Sequence, residues 1–412
     1  MEDPVSAQVF RPLLIALLFG VSVPVYSQTK LPAGAGKEIV QKACAGCHEL
    51  DRVLLAGYSA QDWQTVLHMM KNVGAQVPDE QLPILVKYLA ENFPEKPRPQ
   101  GAVISGPTQV FFKEWVLPTP GSRPHDPLAS LDGTIWYTGQ MANVLGHIDP
   151  TTGRIVEYHL DTPMSGPHGL VADRDGNIWF TANFAGYIGK LDVATGKFTE
   201  YKLPSPDARD PHTLLFDQDG ILWFTVQSAN MIGRLDPKTA EIKLVSPPTP
   251  HSNPYGMVIT SKGVPFFCEF GSNKLASIDP ATMRIREYTL PHPDSRPRRI
   301  AITPDDIIWY TDYARGYLGR FNPETGEMKD YASPSGPQSR PYGIAFAKGV
   351  IWYSESGVRP NTLVRFDPAG ERFQTWPIPS GGGVVRNMMT NHDGNIVMAE
   401  SGVDRAALVE IK

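Results

Sequence analysis

The sequence predicts two unlike folds in one chain, a small all-α domain over residues 28–95 and an all-β seven-bladed propeller over residues 111–412. Three observations carry this. A Cys-x-x-Cys-His pattern, Cys44 to His48, stands among segments with helical period, and a unit of 43 or 44 residues later recurs seven times. Between the two, "KPRPQGAVISGPTQ" is rich in Pro and Gly and follows neither period, so residues 96–110 read as a semi-rigid linker.

A chain of 412 residues is too long for one small core. Its formal net charge is -5, and its Lys and Arg are scattered without a run, which argues against a nucleic-acid footprint or a polybasic membrane anchor. Arg11 precedes an apolar stretch from Leu13 to Val23, and short side chains surround Ser27. Residues 1–27 therefore read as a secretory signal peptide whose apolar core is too short to span a bilayer comfortably. The expectation is a periplasmic or otherwise exported protein without an integral membrane domain after cleavage; an uncleaved N-terminal anchor is the alternative. The three cysteines, Cys44, Cys47 and Cys268, make no disulfide framework, and Cys268 reads as a buried small hydrophobe.

In the first region "GKEIVQKACAGCHEL" reads as an amphipathic helix running into the motif. "SAQDWQTVLHMMKNVG" reads as a second helix opened by Ser59, with Asp62 three residues on in an approximate capping box. "PDEQLPILVKYLAENF" gives a third, with Leu82, Leu85, Val86 and Leu89 on one stripe. Three short helices make a very small core, which calls for a large apolar filler. Cys-x-x-Cys-His fits a haem attachment site, since Cys44 and Cys47 stand one helical turn apart beside His48. A zinc site would need further Cys or His nearby, and a redox dithiol would need a βαβ setting.

This stretch resembles a class I c-type cytochrome domain. The resemblance implies haem c held covalently by Cys44 and Cys47, with His48 as one iron ligand and a Met as the other; Met70 is preferred, Met69 second and His68 third. A thioether ligand favours reduced iron and suits an electron carrier.

The recurring units start at Pro124, Pro167, Pro211, Pro254, Pro297, Pro341 and Val385. Each holds an apolar run, a turn such as Asp175-Gly176, an aromatic strand such as IWYT or LWFT, a Gly or small residue before a sequence such as LDP, and an outer strand. Four short strands between Gly, Asp and Pro turns make one propeller blade. The last unit is one strand short, while Phe111 to Arg123 supplies an outer strand with no unit before it. Pairing the two closes the ring and removes the open edges. The residue after each start faces the channel on one side: His125, His168, His212, Tyr255, Arg298, Tyr342 and Arg386. Any single histidine there is more simply a partner in turn and channel hydrogen bonds. Glu269, Asp312, Glu355 and Glu400 follow the aromatic strand and are expected to pair with Arg298, Arg299 and Arg386 between blades.

The wording of the blades resembles the virginiamycin B lyase (streptogramin lyase) family across residues 111–412. That resemblance implies elimination across an ester, with a His base and Mg²⁺ stabilising enolate-like charge. It places the chemistry on Pro167-His168, Asp210-Pro211-His212 and Pro254-Tyr255-Gly256, with His212 as base and Asp210 and His168 as possible Mg²⁺ partners. Asp210 stands where the family has Glu, and Val226 or Gln227 where it has a further carboxylate. Three functions follow. The first is an exported c-type haem protein for electron transfer, whose propeller binds a redox partner protein or a small-molecule substrate. The second is a streptogramin lyase-like C–O elimination enzyme with an accessory haem. The third is a non-catalytic binding propeller.

Overall fold

The computed structural model describes residues 31–412. The expected signal peptide, and its alternative as an anchor, lie outside the described residues. Among those residues no helix is long and apolar enough to cross a membrane.

Four short helices come first: α1 (Lys37–Cys44), α2 (Asp51–Leu54), α3 (Ala60–Asn72) and α4 (Leu82–Asn92). The expected helices are α1, α3 and α4, and α2 is a single additional turn. Ser59 caps α3 as its position suggested, its Oγ accepting from the Asp62 N–H at 3.1 Å. The third helix begins later than Pro78, because a 3₁₀ turn at Asp79–Gln81 precedes it and Pro83 sits in its first turn, where a missing N–H costs nothing. Val40, Trp63, Leu67, Leu85 and Leu89 form the small core, and the Trp63 indole donates to the Phe93 carbonyl at 3.0 Å, tying α3 to the end of α4.

The rest of the chain folds into seven four-stranded antiparallel sheets. Blade 1 has strands Pro124–Ala129, Ile135–Gly139, Val144–Ile148 and Ile155–His159, and the later blades begin at the expected positions. Blade 7 is completed by Val110–Val116, which pairs antiparallel with Arg405–Ile411 from Val110 opposite Ile411 to Val116 opposite Arg405. The small residue of the third strand has a steric cause. Phe180 lies opposite Gly189, and a Cβ at Gly189 would fall 2.1 Å from the Phe180 ring. Trp179, Trp223, Trp309 and Trp352 of the second strands are fully buried between neighbouring blades, where large rings dominate the apolar area removed from water.

The segment expected to be a linker lies along blade 6. The Thr375 N–H donates to the Ile104 carbonyl at 3.0 Å, the Arg359 N–H to Pro99 at 2.9 Å, and the Gln374 amide to Thr108 at 2.7 Å. The helical unit sits on the propeller face that carries the strand starts. Arg359 bridges Asp62 at 2.9 Å and Glu95 at 2.8 Å, and the Asn72 amide donates to the Pro120 carbonyl at 2.9 Å. At Gly121 the helical unit packs too close for a side chain: a Cβ there would lie 2.4 Å from the Met69 nitrogen.

Candidate functional site

Six of the seven innermost strands open with a proline, the seventh with Val385, and each breaks register just after it, as between Pro167 and Leu170 or Pro211 and Leu214. The irregularity frees the next residue to turn toward the axis. A hydroxyl on the second strand then fixes it. The Thr181 Oγ1 accepts from the Gly169 N–H at 2.8 Å and donates to the His212 carbonyl of the next blade, also at 2.8 Å. Thr138 holds the His168 carbonyl at 2.7 Å, Thr225 that of Tyr255 at 2.9 Å and Thr311 that of Tyr342 at 2.9 Å. In blade 4 this position is Cys268, fully buried, its thiol pushed up by burial. These threonines are the last letters of IWYT, IWFT and LWFT; the repeat displayed them, but their role as blade-to-blade clamps was missed.

The rings so positioned pack against one another in a tilted row around the axis. Centroids are 3.5 Å apart for His125–His168, 3.8 Å for His168–His212 and 3.8 Å for His212–Tyr255. The Tyr255 and Tyr342 hydroxyls meet at 2.5 Å. The three predicted residues His168, His212 and Tyr255 are thus brought together, joined by His125. Burial, reinforced by neighbouring arginines and histidines, holds the pKa of His125, His168 and His212 well below the usual imidazole range, so all three are neutral at neutral pH. The His212 Nδ1 lies 3.1 Å from Thr213 Oγ1, and among the described residues its Nε2 makes no hydrogen bond.

Asp210 is not part of this set. Its carboxyl accepts from Ser228 Oγ at 2.5 Å and from the Asn183 amide, and burial raises its pKa. Among the described residues the group spaced to hold a metal ion is instead His125, Asp126 and His168. Asp126 Oδ1, however, already accepts from His125 Nδ1 at 2.8 Å and from the Arg299 guanidinium at 2.7 Å. With that oxygen taken and Arg123, Arg298 and Arg386 also within electrostatic reach of His125, the donor set does not fit a divalent cation. Asp126 and Arg299 were not picked out as a pair in the sequence, although His125-Asp126 and Arg298-Arg299 are adjacent letters.

The expected pairing of the four later carboxylates with the channel arginines is corrected as well. Asp312 meets Arg315 at 3.2 Å, Glu269 accepts from Ser272, Glu355 from Thr362 and Glu400 from Ser380. Each stands across the ladder from a strand start, as Glu400 does from Val385; nearby hydroxyls serve the three glutamates, and the Arg296 N–H and Arg315 serve Asp312. Burial pushes Glu269 up to about 7 and Glu400 up to about 8.

A second concavity of about 480 Å³ lies among the helices. Cys44, Cys47 and His48 line it together with Met70 of α3, and Met141, Met164 and Phe184 of the propeller close it. Met69 is buried but does not line it, and neither does His68. The His48 Nδ1 donates to the Glu49 carbonyl at 3.0 Å.

The described residues form a closed ring of seven blades with a histidine-lined channel mouth, which defines the chain as a seven-bladed β-propeller. The chain matches the Virginiamycin B lyase family over residues 107–356 and 266–411, and it belongs to that family. No curated protein matches it. Among solved structures it is similar to a streptogramin B lyase, with 29% identity over 74% of this chain and 98% of that one, at a TM-score of 0.68. A catalytically inactive histidine-to-alanine variant of virginiamycin B lyase from Staphylococcus aureus, solved with quinupristin, is 27% identical over 73% of this chain and 99% of that one, TM-score 0.67. The Kuenenia stuttgartiensis hydrazine synthase shares the fold alone, at 14% identity over 70% of this chain and 95% of that one, TM-score 0.60. These likenesses favour the lyase-like reading over the electron carrier, and the family match begins beyond the helical unit.

Proposed function

We propose that the channel mouth is a small-molecule site of the streptogramin lyase kind, with His212 as the base of an elimination. The observation that carries the reading is the tilted row of neutral His125, His168, His212 and Tyr255 rings in contact at the strand starts. As base, His212 holds its own proton on Nδ1 toward Thr213 and receives the substrate proton on Nε2. The C–H pair becomes a C=C bond, the neighbouring C–O bond breaks, and the leaving oxygen keeps its electrons. Membership of the family, and the inactivity of the histidine variant of the S. aureus lyase, support this reading. Among the described residues no donor set fits the Mg²⁺ that the resemblance implies. Incubation of the purified protein with quinupristin and simpler esters, followed by chromatography, is expected to show ring opening. His212→Ala should slow it about 10² to 10⁴-fold. Ligand binding without turnover in the unaltered protein would leave a non-catalytic binding propeller.

A second reading rests on the other cavity. Its apolar walls, with two thiols, an imidazole and a thioether, fit a covalently attached haem c: Cys44 and Cys47 would hold the group, and His48 and Met70 would take the iron. Bound there, it supplies one-electron transfer. The helical unit would then serve as a c-type cytochrome domain in a periplasmic or otherwise exported protein, exchanging electrons with a redox partner protein. A reduced-minus-oxidised spectrum of protein made with a haem-attachment system is expected to show low-spin haem, and Met70→Ala should abolish the sulfur-to-iron charge-transfer band. Loss of that band in Met69→Ala instead would reassign the ligand.

A further inference from the structure

The ring of strand starts is not uniform in charge. Blades 1 to 4 contribute the neutral His125, His168, His212 and Tyr255, whereas blades 5 to 7 contribute Arg298, Tyr342 and Arg386. Arg123 stands just before the first strand start and Arg299 just after Arg298. Of these four guanidinium groups, Arg299 alone meets a carboxylate among the described residues, Asp126 at 2.7 Å. The Nε atoms of Arg298 and Arg386 are buried with no hydrogen-bond partner.

Aromatic rings hold Arg298 in place without neutralising it. Its guanidinium lies 3.8 Å from the Tyr342 ring centroid and 4.4 Å from that of Tyr313, and its Nη2 donates to the Tyr255 hydroxyl at 3.3 Å. The groups feel one another strongly. Arg386 beside it, together with burial, pulls Arg123 down to about 9. Burial alone would raise the Tyr342 phenol, yet Arg298, Arg386 and Arg299 bring it down to about 8. Buried like charges without a counter-ion are costly, and a bound anion removes that cost.

Resting on the reading of the mouth as a substrate site, we infer that Arg123, Arg298, Arg386 and the Tyr342 hydroxyl form an anion subsite. It takes a carboxylate of the propeller's substrate. Planar guanidinium groups match a carboxylate through paired N–H donors. Where the family resemblance implies a metal ion, this chain offers fixed positive charge from its own side chains.

The test is to titrate oxalate into the full chain at low ionic strength by calorimetry, while following tyrosinate absorbance against pH. Oxalate should bind. Arg386→Gln and, separately, Arg123→Gln should each weaken binding about ten-fold or more with unchanged melting temperature. Bound oxalate should move the phenol that titrates near 8 upward, and Tyr342→Phe should remove that titration. Absence of binding, binding by both arginine variants as tight as that of the unaltered protein, or an unmoved phenol overturns the subsite. Oxalate binding confined to a Cys44→Ala/Cys47→Ala variant would give the site to a carboxylate of the prosthetic group and overturn its assignment to substrate. Expected oxalate binding with no ester opened leaves the subsite standing and removes the elimination. Equal ester opening by the unaltered protein and Arg386→Gln, with or without a substrate carboxylate, does the reverse.

Discussion

The helical cavity and the channel mouth place reactive side chains by opposite means. In the cavity three of the four come from five consecutive positions, Cys44 to His48, and a core of ten buried hydrophobic residues surrounds them. At the mouth each comes from a different blade, and hydroxyl clamps with large buried cores between blades fix them. A site written in one short motif depends on what fills it. A site spread over seven repeats is held by the scaffold and tolerates changes of ring residue, which is how histidine, tyrosine and arginine come to share one geometric position.

The largest expected effect breaks that comparison at its weaker side. Cys44→Ala/Cys47→Ala protein made alongside a haem-attachment system should lose its protease resistance between residues 31 and 93 while the propeller survives limited proteolysis; equal resistance in both proteins would show that the helices need no filler. Next, Trp63→Ala removes a buried ring and its bond to Phe93 and should cost about 3–5 kcal/mol in chemical denaturation of the helical unit. On the propeller, Thr181→Val leaves the Gly169 N–H and the His212 carbonyl without their partner. It should cost about 1–3 kcal/mol, read from the propeller's denaturation midpoint.

Acid should act on the same scaffold. In the unfolded chain the three channel histidines take up protons below about pH 6.5, while their folded-state values are lowered. Unfolding therefore binds protons, and propeller stability falls as pH drops through that range, by up to about 1.4 kcal/mol per pH unit for each histidine. Glu269 and Glu400, raised to about 7 and about 8, act in the opposite sense, their contribution fading as pH rises through those values. The smallest effect belongs to Arg359→Ala, whose two ion pairs across the units are largely solvent-facing; about 0–1 kcal/mol is expected.

The propeller was legible because its period is carried by prolines, Asp-Gly turns and aromatic strands, each forced by local sterics. The seven ring positions followed from the same alignment, since a repeated backbone puts equivalent residues on one face. Partners across the ring were not legible. Arg299 reaches Asp126 across 173 residues, and Tyr255 reaches Tyr342 across 87. The family resemblance places Asp210 with His168 and His212, but its left-handed backbone, φ 70°, accompanies a side chain bonded to Asn183 and Ser228. In the helical unit Cys44, Cys47 and His48 are neighbours in the sequence, whereas only the packing of α3 shows that Met70 and not Met69 lines the same cavity.

The channel mouth holds three neutral imidazoles beside four guanidinium groups, of which Arg299 alone meets a carboxylate among the described residues. Nitrogen-15 NMR of histidine-labelled protein, assigned with His125→Asn, His168→Asn and His212→Asn, tests this directly. At about pH 5.5, a unit below the ordinary imidazole pKa, the three resonances are predicted to remain those of neutral rings. Protonation of the three with midpoints near 6.5 would contradict the account.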